Sequence, residues 1–390
     1  MPDFDAIIAG GGIVGSSAAL CLARLDRRVL LVDSKVPQTS GLNDEFDVRT
    51  VALSPRSINL LESLDSMADV RRGPIKRIHV WEREGTATVG FDANEIGAKA
   101  LAEVVEVSAL VRRLWTSLVD RVEVRAPSTI EAVECYGETV ELVIDKDVVS
   151  TACFVVAEGR ESSTLKQLGI STQNYGSMGR AIGTVAKTVD PHNGCALQHF
   201  GDGILAFLPL PEKRSVSVVW SLPAGRYDQL LTLDGSAFAA ALTHESESVL
   251  GEVAEVGERL GFPFGQSLVS DFNPMPRVLV IGDAARTVHP LAGQGVNLGL
   301  EDVQGIQEVT RHLKGDMGEN NVWRRFAIRR HARARVMLQL MDFFDRTYRA
   351  SGPYGRWARN LGVRTVNKVP ALKYQLMREA MGLGPLATLY

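Results

Sequence analysis

Short runs of β-branched residues separated by glycine turns open the chain. Phe4 to Ala9 is the first and Arg28 to Val32 the second, each apolar enough for a buried strand. Between them, Ser16 to Leu25 carries Ala19, Leu22 and Ala23 at helical spacing. Leu110, Leu114 and Leu118 recur every four residues and predict a helix in the second half of Leu101 to Leu118. Val122–Val124, Ile130–Val133, Val140–Ile144 and Phe154–Val156 then alternate or run apolar as strands. From about Tyr175 to Gly265 short strands dominate, among them Ala181–Val185, Leu205–Leu208 and Val216–Trp220, separated by Gly and Pro turns. An apolar strand returns at Val278–Ile281, and a helix starts near Val296. Trp323 to Tyr348 is a long amphipathic stretch. Arginines read as one side of it and Met337, Leu338, Leu340, Met341, Phe343 and Phe344 as the other.

Strand, helix and strand within about 30 residues make a βαβ unit and predict an α/β, Rossmann-like sheet. The pattern divides the chain into a nucleotide-binding domain at 1–174, an inserted β-sheet substrate domain at 175–275, a return segment at 276–310 and a helical C-terminal region at 311–390.

Composition narrows the partners. Lys plus Arg number 43 against 46 Asp plus Glu, so no global field favours nucleic acid. Cys21, Cys135, Cys153 and Cys195 lack metal spacing, no metal site is expected, and buried thiols in a reducing compartment are the reading. No leader segment and no apolar run of about 18 residues is visible, so a cytoplasmic location is expected. The Arg-rich segment Arg324 to Arg335 reads first as a solvated helix face. A basic amphipathic helix can also rest on the inner face of an anionic membrane, and both readings stand.

Two segments carry chemistry. In Gly10-Gly11-Gly12-Ile13-Val14-Gly15, Gly10 makes a tight turn, Gly12 admits a pyrophosphate, and Gly15 lets helix and strand pack closely. Asp33 follows at a strand end, placed to hold ribose hydroxyls. Arg49 is either a solvated arginine or a guanidinium near the pyrophosphate. The second segment runs from Gly282-Asp283 through His289-Pro290 to Gly293-Gln294-Gly295-Val296-Asn297-Leu298. Asp283, at the end of a buried strand, needs donors, which a ribityl chain supplies. The helix amides beyond Gly293 would stabilise negative charge on a reduced isoalloxazine. His289 reads as a turn residue before a catalytic one. Pro209 either walls a substrate pocket or simply ends a strand.

These segments, with Phe46-Asp47-Val48-Arg49, Val104-Val105-Glu106, Ala157-Glu158-Gly159, Leu208-Pro209-Leu210 and Val219-Trp220, resemble the class A flavin-dependent aromatic hydroxylases over nearly the whole chain. Within them the likeness is to the ubiquinone-biosynthesis hydroxylases, leaning to the 2-polyprenyl-6-methoxyphenol hydroxylase. The resemblance implies a para-hydroxybenzoate hydroxylase-like fold, with FAD bound by Gly10, Gly12, Ile13, Val14, Gly15, Asp33, Arg49, Gly282 and Asp283. It places Gly293, Gly295, Val296, Asn297 and Leu298 beside the isoalloxazine and Pro290 between flavin and substrate. It implies NAD(P)H as reductant without a second Rossmann domain, and O2 added at flavin C4a to give a hydroperoxide that hydroxylates a phenol ring. It also implies a polyprenyl phenol substrate, delivery by the membrane or by other ubiquinone-biosynthesis proteins, and leaves a homodimer or larger assembly open.

Three positions depart from the family pattern: Glu158 for aspartate, Leu165 for a basic residue and Arg286 for histidine. The first two lie where FAD and NAD(P)H are both expected to touch. Two other functions therefore stay beside the first: hydroxylation of a small soluble aromatic, and a flavin-binding subunit of a biosynthetic complex with little activity of its own.

Overall fold

Phe4–Ala9 lies near the middle of a seven-stranded sheet, paired in parallel with Val29–Val32 on one side and Asp147–Val156 on the other. In this computed structural model the described residues are 1–37, 46–83, 88–201, 203–288, 293–319, 321–349 and 370–384. Glu123–Arg125 extends the parallel part, and Val278–Val280 joins the far end of Asp147–Val156, also in parallel. Thr139–Ile144 and Ile130–Tyr136 add an antiparallel flank. The return of the chain at Val278 is thus a direct extension of the opening sheet, and it brings Gly282 next to the first glycine loop.

Ile13–Ala23 is buried almost all round because it is packed between the sheet and two helices, Val107–Leu118 and Gln294–His312. Leu110, Leu114 and Leu118 face inward on Val107–Leu118, as their four-residue spacing predicts. Pro55–Ser63 starts where Ser54 accepts from Ser57 N and Pro55 occupies the first turn. Cys21 and Cys153 are buried, and desolvation pushes both thiols up to about 12; Cys135 is exposed, so buried thiols are only part of the picture.

A nine-stranded sheet forms the second layer system, with Thr172–Thr188 paired to Ser215–Leu222, Leu260–Val269 and Val253–Val256. Gly203–Pro209 and Cys195–Gly201 continue it. The segment 175–275 does not build this sheet alone. Arg77–Glu82 and Val89–Asp92 join one edge and Arg286–Thr287 the other. The first pair escapes a hydrophobic reading because Arg77-Ile78-His79-Val80-Trp81-Glu82 mixes polar and apolar residues one strand in from the edge.

Helices Ala224–Leu231 and Gly235–Glu245 cover one face of the sheet, closing a core of Ile182, Phe207, Trp220, Tyr227, Phe238 and Leu242. With a period of two, Gly183, Val185, Ala206, Leu208, Ser217 and Val219 fall on the other face. That face looks toward Thr50–Leu53, a strand paired with Ala102–Glu106. Thr50 Oγ1 and Ser217 Oγ lie 2.6 Å apart, and Val185 and Leu208 pack with Ala52.

Candidate functional site

Three glycines of the first loop do three different jobs. Gly10 has φ +106°, and a methyl there would meet Ala157 O at 2.5 Å. A methyl at Gly15 would stand 1.9 Å from Gly10 O, so helix and strand pack at the closest approach a glycine allows. Gly12 is the opposite case, with nothing within 4 Å of a methyl placed on it. It precedes the helix Ile13–Ala23, whose N-terminus has no side-chain cap and no acidic residue in its first turn. The amides of this first turn and the positive end of the helix dipole therefore serve the space beside Gly12. Val14 contributes its backbone there, while its methyls wedge against Gly282 and Gly299.

Asp33 Oδ2 accepts from Gly11 N at 2.5 Å and Oδ1 from Lys35 N at 2.8 Å, which fixes the carboxylate beside the loop with lone pairs to spare. Trp115 Nε1 donates to Gly11 O at 2.7 Å. This tryptophan holds the loop from the helix Val107–Leu118, and no spacing rule links position 115 to position 11. Arg49 is exposed at the root of Thr50–Leu53; its carbonyl accepts from Val107 N at 3.0 Å, and its guanidinium bonds no described residue.

Asp283 is not at the end of a buried strand. Gly282, with φ +63°, turns the chain into a one-turn helix, Gly282–Ala285, and the Asp283 side chain is exposed. Protein nonetheless crowds the carboxyl. Desolvation raises its pKa, Asp302 adds to the rise, and Arg286 and Arg160 oppose it. Asp283 hydrogen-bonds no described residue. A methyl at Gly295 would sit 3.5 Å from its Oδ1, so the carboxylate borders the start of helix Gln294–His312. That helix begins at Gly293, φ +59°, again with no side-chain cap and no first-turn acid. The two helices with uncapped N-termini pack together, Val14 of one against Gly299 of the other. His289 and Pro290 fall outside the described residues.

Asn297 and Leu298 both turn their side chains into the protein. The Asn297 side chain uses its full capacity there: Oδ1 accepts from Ser54 N at 2.8 Å and Ser57 Oγ at 2.7 Å, and Nδ2 donates to Ala52 O at 2.8 Å and Gly293 O at 3.0 Å. Leu298 packs its side chain against Met337 and Met341 of the helix Arg324–Arg349. Val296 is half-buried beside them.

Beneath the same helix lies a buried ionic cluster. Asp302 accepts from Gly282 N at 3.0 Å, Arg286 Nη1 at 2.5 Å and Arg330 Nε at 2.6 Å. Arg330 also donates to Glu301 Oε2 at 3.0 Å and to Leu298 O at 3.1 Å, and Arg333 reaches Glu301. A fully solvated face for Arg324 to Arg335 is therefore incorrect, since Arg330 and Arg333 are 4% and 6% exposed. Leu340 moves the other way: expected inside, it is exposed. Both corrections come from the partners, because arginine at helical spacing looks alike whether it meets water or buried carboxylates. The side chains of Phe343 and Phe344 lie outside the described residues.

The two departures near Glu158 become structural. Glu158 accepts from Ser162 Oγ, from Thr164 N at 3.0 Å and from Thr164 Oγ1 at 2.9 Å, so its carboxylate caps the short helix Ser163–Gln167. Leu165 is buried in the main core while Lys166 is exposed. Pro209 is buried at its strand end, its carbonyl pressed on Gly73. The open sheet face beside it was missed from the sequence, although the alternation in Gly203–Pro209 carried the signal. Ala206, Leu208 and Val219 are only half-buried there, and Ala206 pairs with Val219, which pairs with Gly183.

Known proteins resemble this chain in sequence and in fold. The family described as FAD binding domain matches residues 3–340. The 3-demethoxyubiquinol 3-hydroxylase of Escherichia coli (strain K12) is 31% identical over 387 residues, covering 96% of this chain and 98% of that protein. Ubiquinone hydroxylase UbiL of Rhodospirillum rubrum is 29% identical over 394 residues, covering 98% and 91%. Among solved structures, p-nitrophenol 4-monooxygenase PnpA of Pseudomonas putida DLL-E4 has a TM-score of 0.76 at 15% identity, covering 97% of this chain and 98% of that one. Klebsiella pneumoniae HpxO, complexed with FAD and uric acid, has a TM-score of 0.70 at 18% identity, covering 98% and 97%. At those identities the structural likeness speaks for the fold.

Proposed function

The chain belongs to the FAD binding domain family, and from that premise we propose that it hydroxylates the aromatic ring of a polyprenylated phenol in ubiquinone biosynthesis, using NAD(P)H and O2. The observation that carries the reading is the packing together of two helices with uncapped N-termini, at Gly12 and Gly293, beside Asp283, whose carboxylate hydrogen-bonds no described residue.

The residues present fit FAD. The amides following Gly12 hold the diphosphate, and the Arg49 guanidinium neutralises it. Asp33 accepts from the adenosine ribose, and Asp283 from the ribityl chain. When bound, FAD supplies hydride uptake from NAD(P)H and activation of O2 for transfer to the ring. The Gly293–Leu298 amides and their helix dipole favour negative charge on the N1–C2=O side of the ring system. The family resemblance would set Pro290, which lies outside the described residues, between flavin and substrate. Ala206, Leu208 and Val219 form an apolar wall against which a phenol lies flat and dry, with Pro209 at its end.

A prenyl tail partitions into lipid, so the proposal includes peripheral contact with the inner face of a membrane and handover from other ubiquinone-biosynthesis proteins. The test is deletion of the gene in its host with mass spectrometry of the quinone precursors. Accumulation of a prenylated phenol one hydroxyl short supports the reading and names the ring carbon. An unchanged quinone profile, with NAD(P)H oxidation stimulated only by small soluble phenols, overturns it.

A further inference from the structure

The helix Arg324–Arg349 has an outer side as well as the inner one that braces Glu301 and Asp302. Ile328, Val336 and Leu340 are 60%, 42% and 39% exposed on it. Arg325, Arg329 and Arg335 are exposed between them and make no ion pair with a described residue. At 3.6 residues per turn these six positions fall within an arc of about 140°. No acidic residue occurs from Arg324 to Met341, although the chain as a whole carries a formal charge of −3. Positive charge is therefore concentrated, against the average, on a face that also exposes three large aliphatic side chains.

We propose that this face docks on an anionic lipid bilayer. Arginine guanidinium groups meet lipid phosphates while their stems lie along the surface, and Ile328, Val336 and Leu340 enter the acyl boundary. A second copy of the chain is a poor occupant, because two such faces bring six arginines together without an acid. A nucleic-acid backbone would satisfy the arginines but leave the three aliphatic groups unused. The purpose of docking rests on the lipid-borne substrate proposed above; the geometry does not.

Flotation of the FAD-loaded full-length protein with vesicles of phosphatidylcholine, with or without phosphatidylglycerol, tests it. Binding to the phosphatidylglycerol vesicles that weakens with salt is expected. Charge reversal by Arg325→Glu, Arg329→Glu and Arg335→Glu together should lower it by roughly 100-fold or more, at about fivefold per arginine. Ile328→Ser with Leu340→Ser should weaken it while leaving the salt dependence in place. Flavin absorbance confirms that each variant is folded; if the triple variant is not, Arg329→Glu alone with a salt titration decides. Equal binding to both vesicle types, no flotation, or flotation unmoved by these substitutions overturns the proposal. Turnover of detergent-dispersed prenyl phenol is read in parallel: its absence with flotation intact defeats the substrate reading and leaves the surface standing.

Discussion

Arg330 Nε lies 2.6 Å from Asp302 Oδ1 and its Nη1 3.0 Å from Glu301 Oε2, with all three side chains buried between the helices Gln294–His312 and Arg324–Arg349. Removing one partner of such a cluster leaves desolvated carboxylates short of positive charge. Arg330→Met should cost about 3 kcal/mol in urea unfolding of the apo protein. A loss below about 1 kcal/mol would mean that Arg286 and Arg333 carry the carboxylates unaided.

Gly12 separates folding from flavin binding. A methyl there meets nothing within 4 Å, so Gly12→Ala should cost the apo protein about 1 kcal/mol or less. It should cut FAD affinity at least tenfold by filling the diphosphate's approach, measured by quenching of flavin fluorescence. Unchanged FAD affinity would remove the phosphate from this loop.

Asp283 predicts a pH dependence. Desolvation first, with Asp302 adding, raises its carboxyl above the usual range in the apo protein. Ribityl hydroxyls donate to the ionised form, so FAD binding expels a proton and affinity falls as pH drops through the raised value. The apo fold has the opposite sign: a carboxyl pKa raised on folding favours the fold at low pH, and that contribution fades as pH rises through it. Asp283→Asn should flatten the affinity profile, and Asp283→Ala should cost roughly 5- to 150-fold in affinity, on the order of 1–3 kcal/mol. Titrations of FAD binding against pH for wild type and Asp283→Asn check this; superimposable curves would place the ribityl chain elsewhere.

Bulk on the open sheet face should act on substrate and spare the cofactor. Ala206→Trp is expected to retain FAD and NAD(P)H oxidation while product hydroxylation falls at least tenfold. Coupling of NAD(P)H consumed to product formed is the measurement. Full coupling in this variant would move the phenol off Ala206 and Val219.

What the sequence disclosed was local. The Gly10–Gly15 loop, Asp33 and the Gly282–Leu298 segment are marked by residue type and local spacing. The flat end of Val278–Val280 hid one detail: the positive φ of Gly282 lifts Asp283 out of the strand and into the open. Long-range partners left no such mark. Trp115 over Gly11, Asn297 between Ser54 and Ala52, and Arg330 beneath Asp302 each span tens to hundreds of residues. Their types and spacings are those of ordinary helix residues.

The cluster around Asp302 sets how this protein can be divided. Arg286, Glu301 and Asp302 belong to the flavin side, yet beyond Arg286 the cations that neutralise the two carboxylates are Arg330 and Arg333, and Arg333 in turn meets Glu379 at 3.5 Å. A fragment ending after His312 would keep every residue assigned to FAD and still leave two interior carboxylates short of counter-charge. The smallest heritable unit able to carry the flavin therefore extends into the helix Arg324–Arg349, and recombination or truncation near residue 312 removes a keystone rather than an appendage.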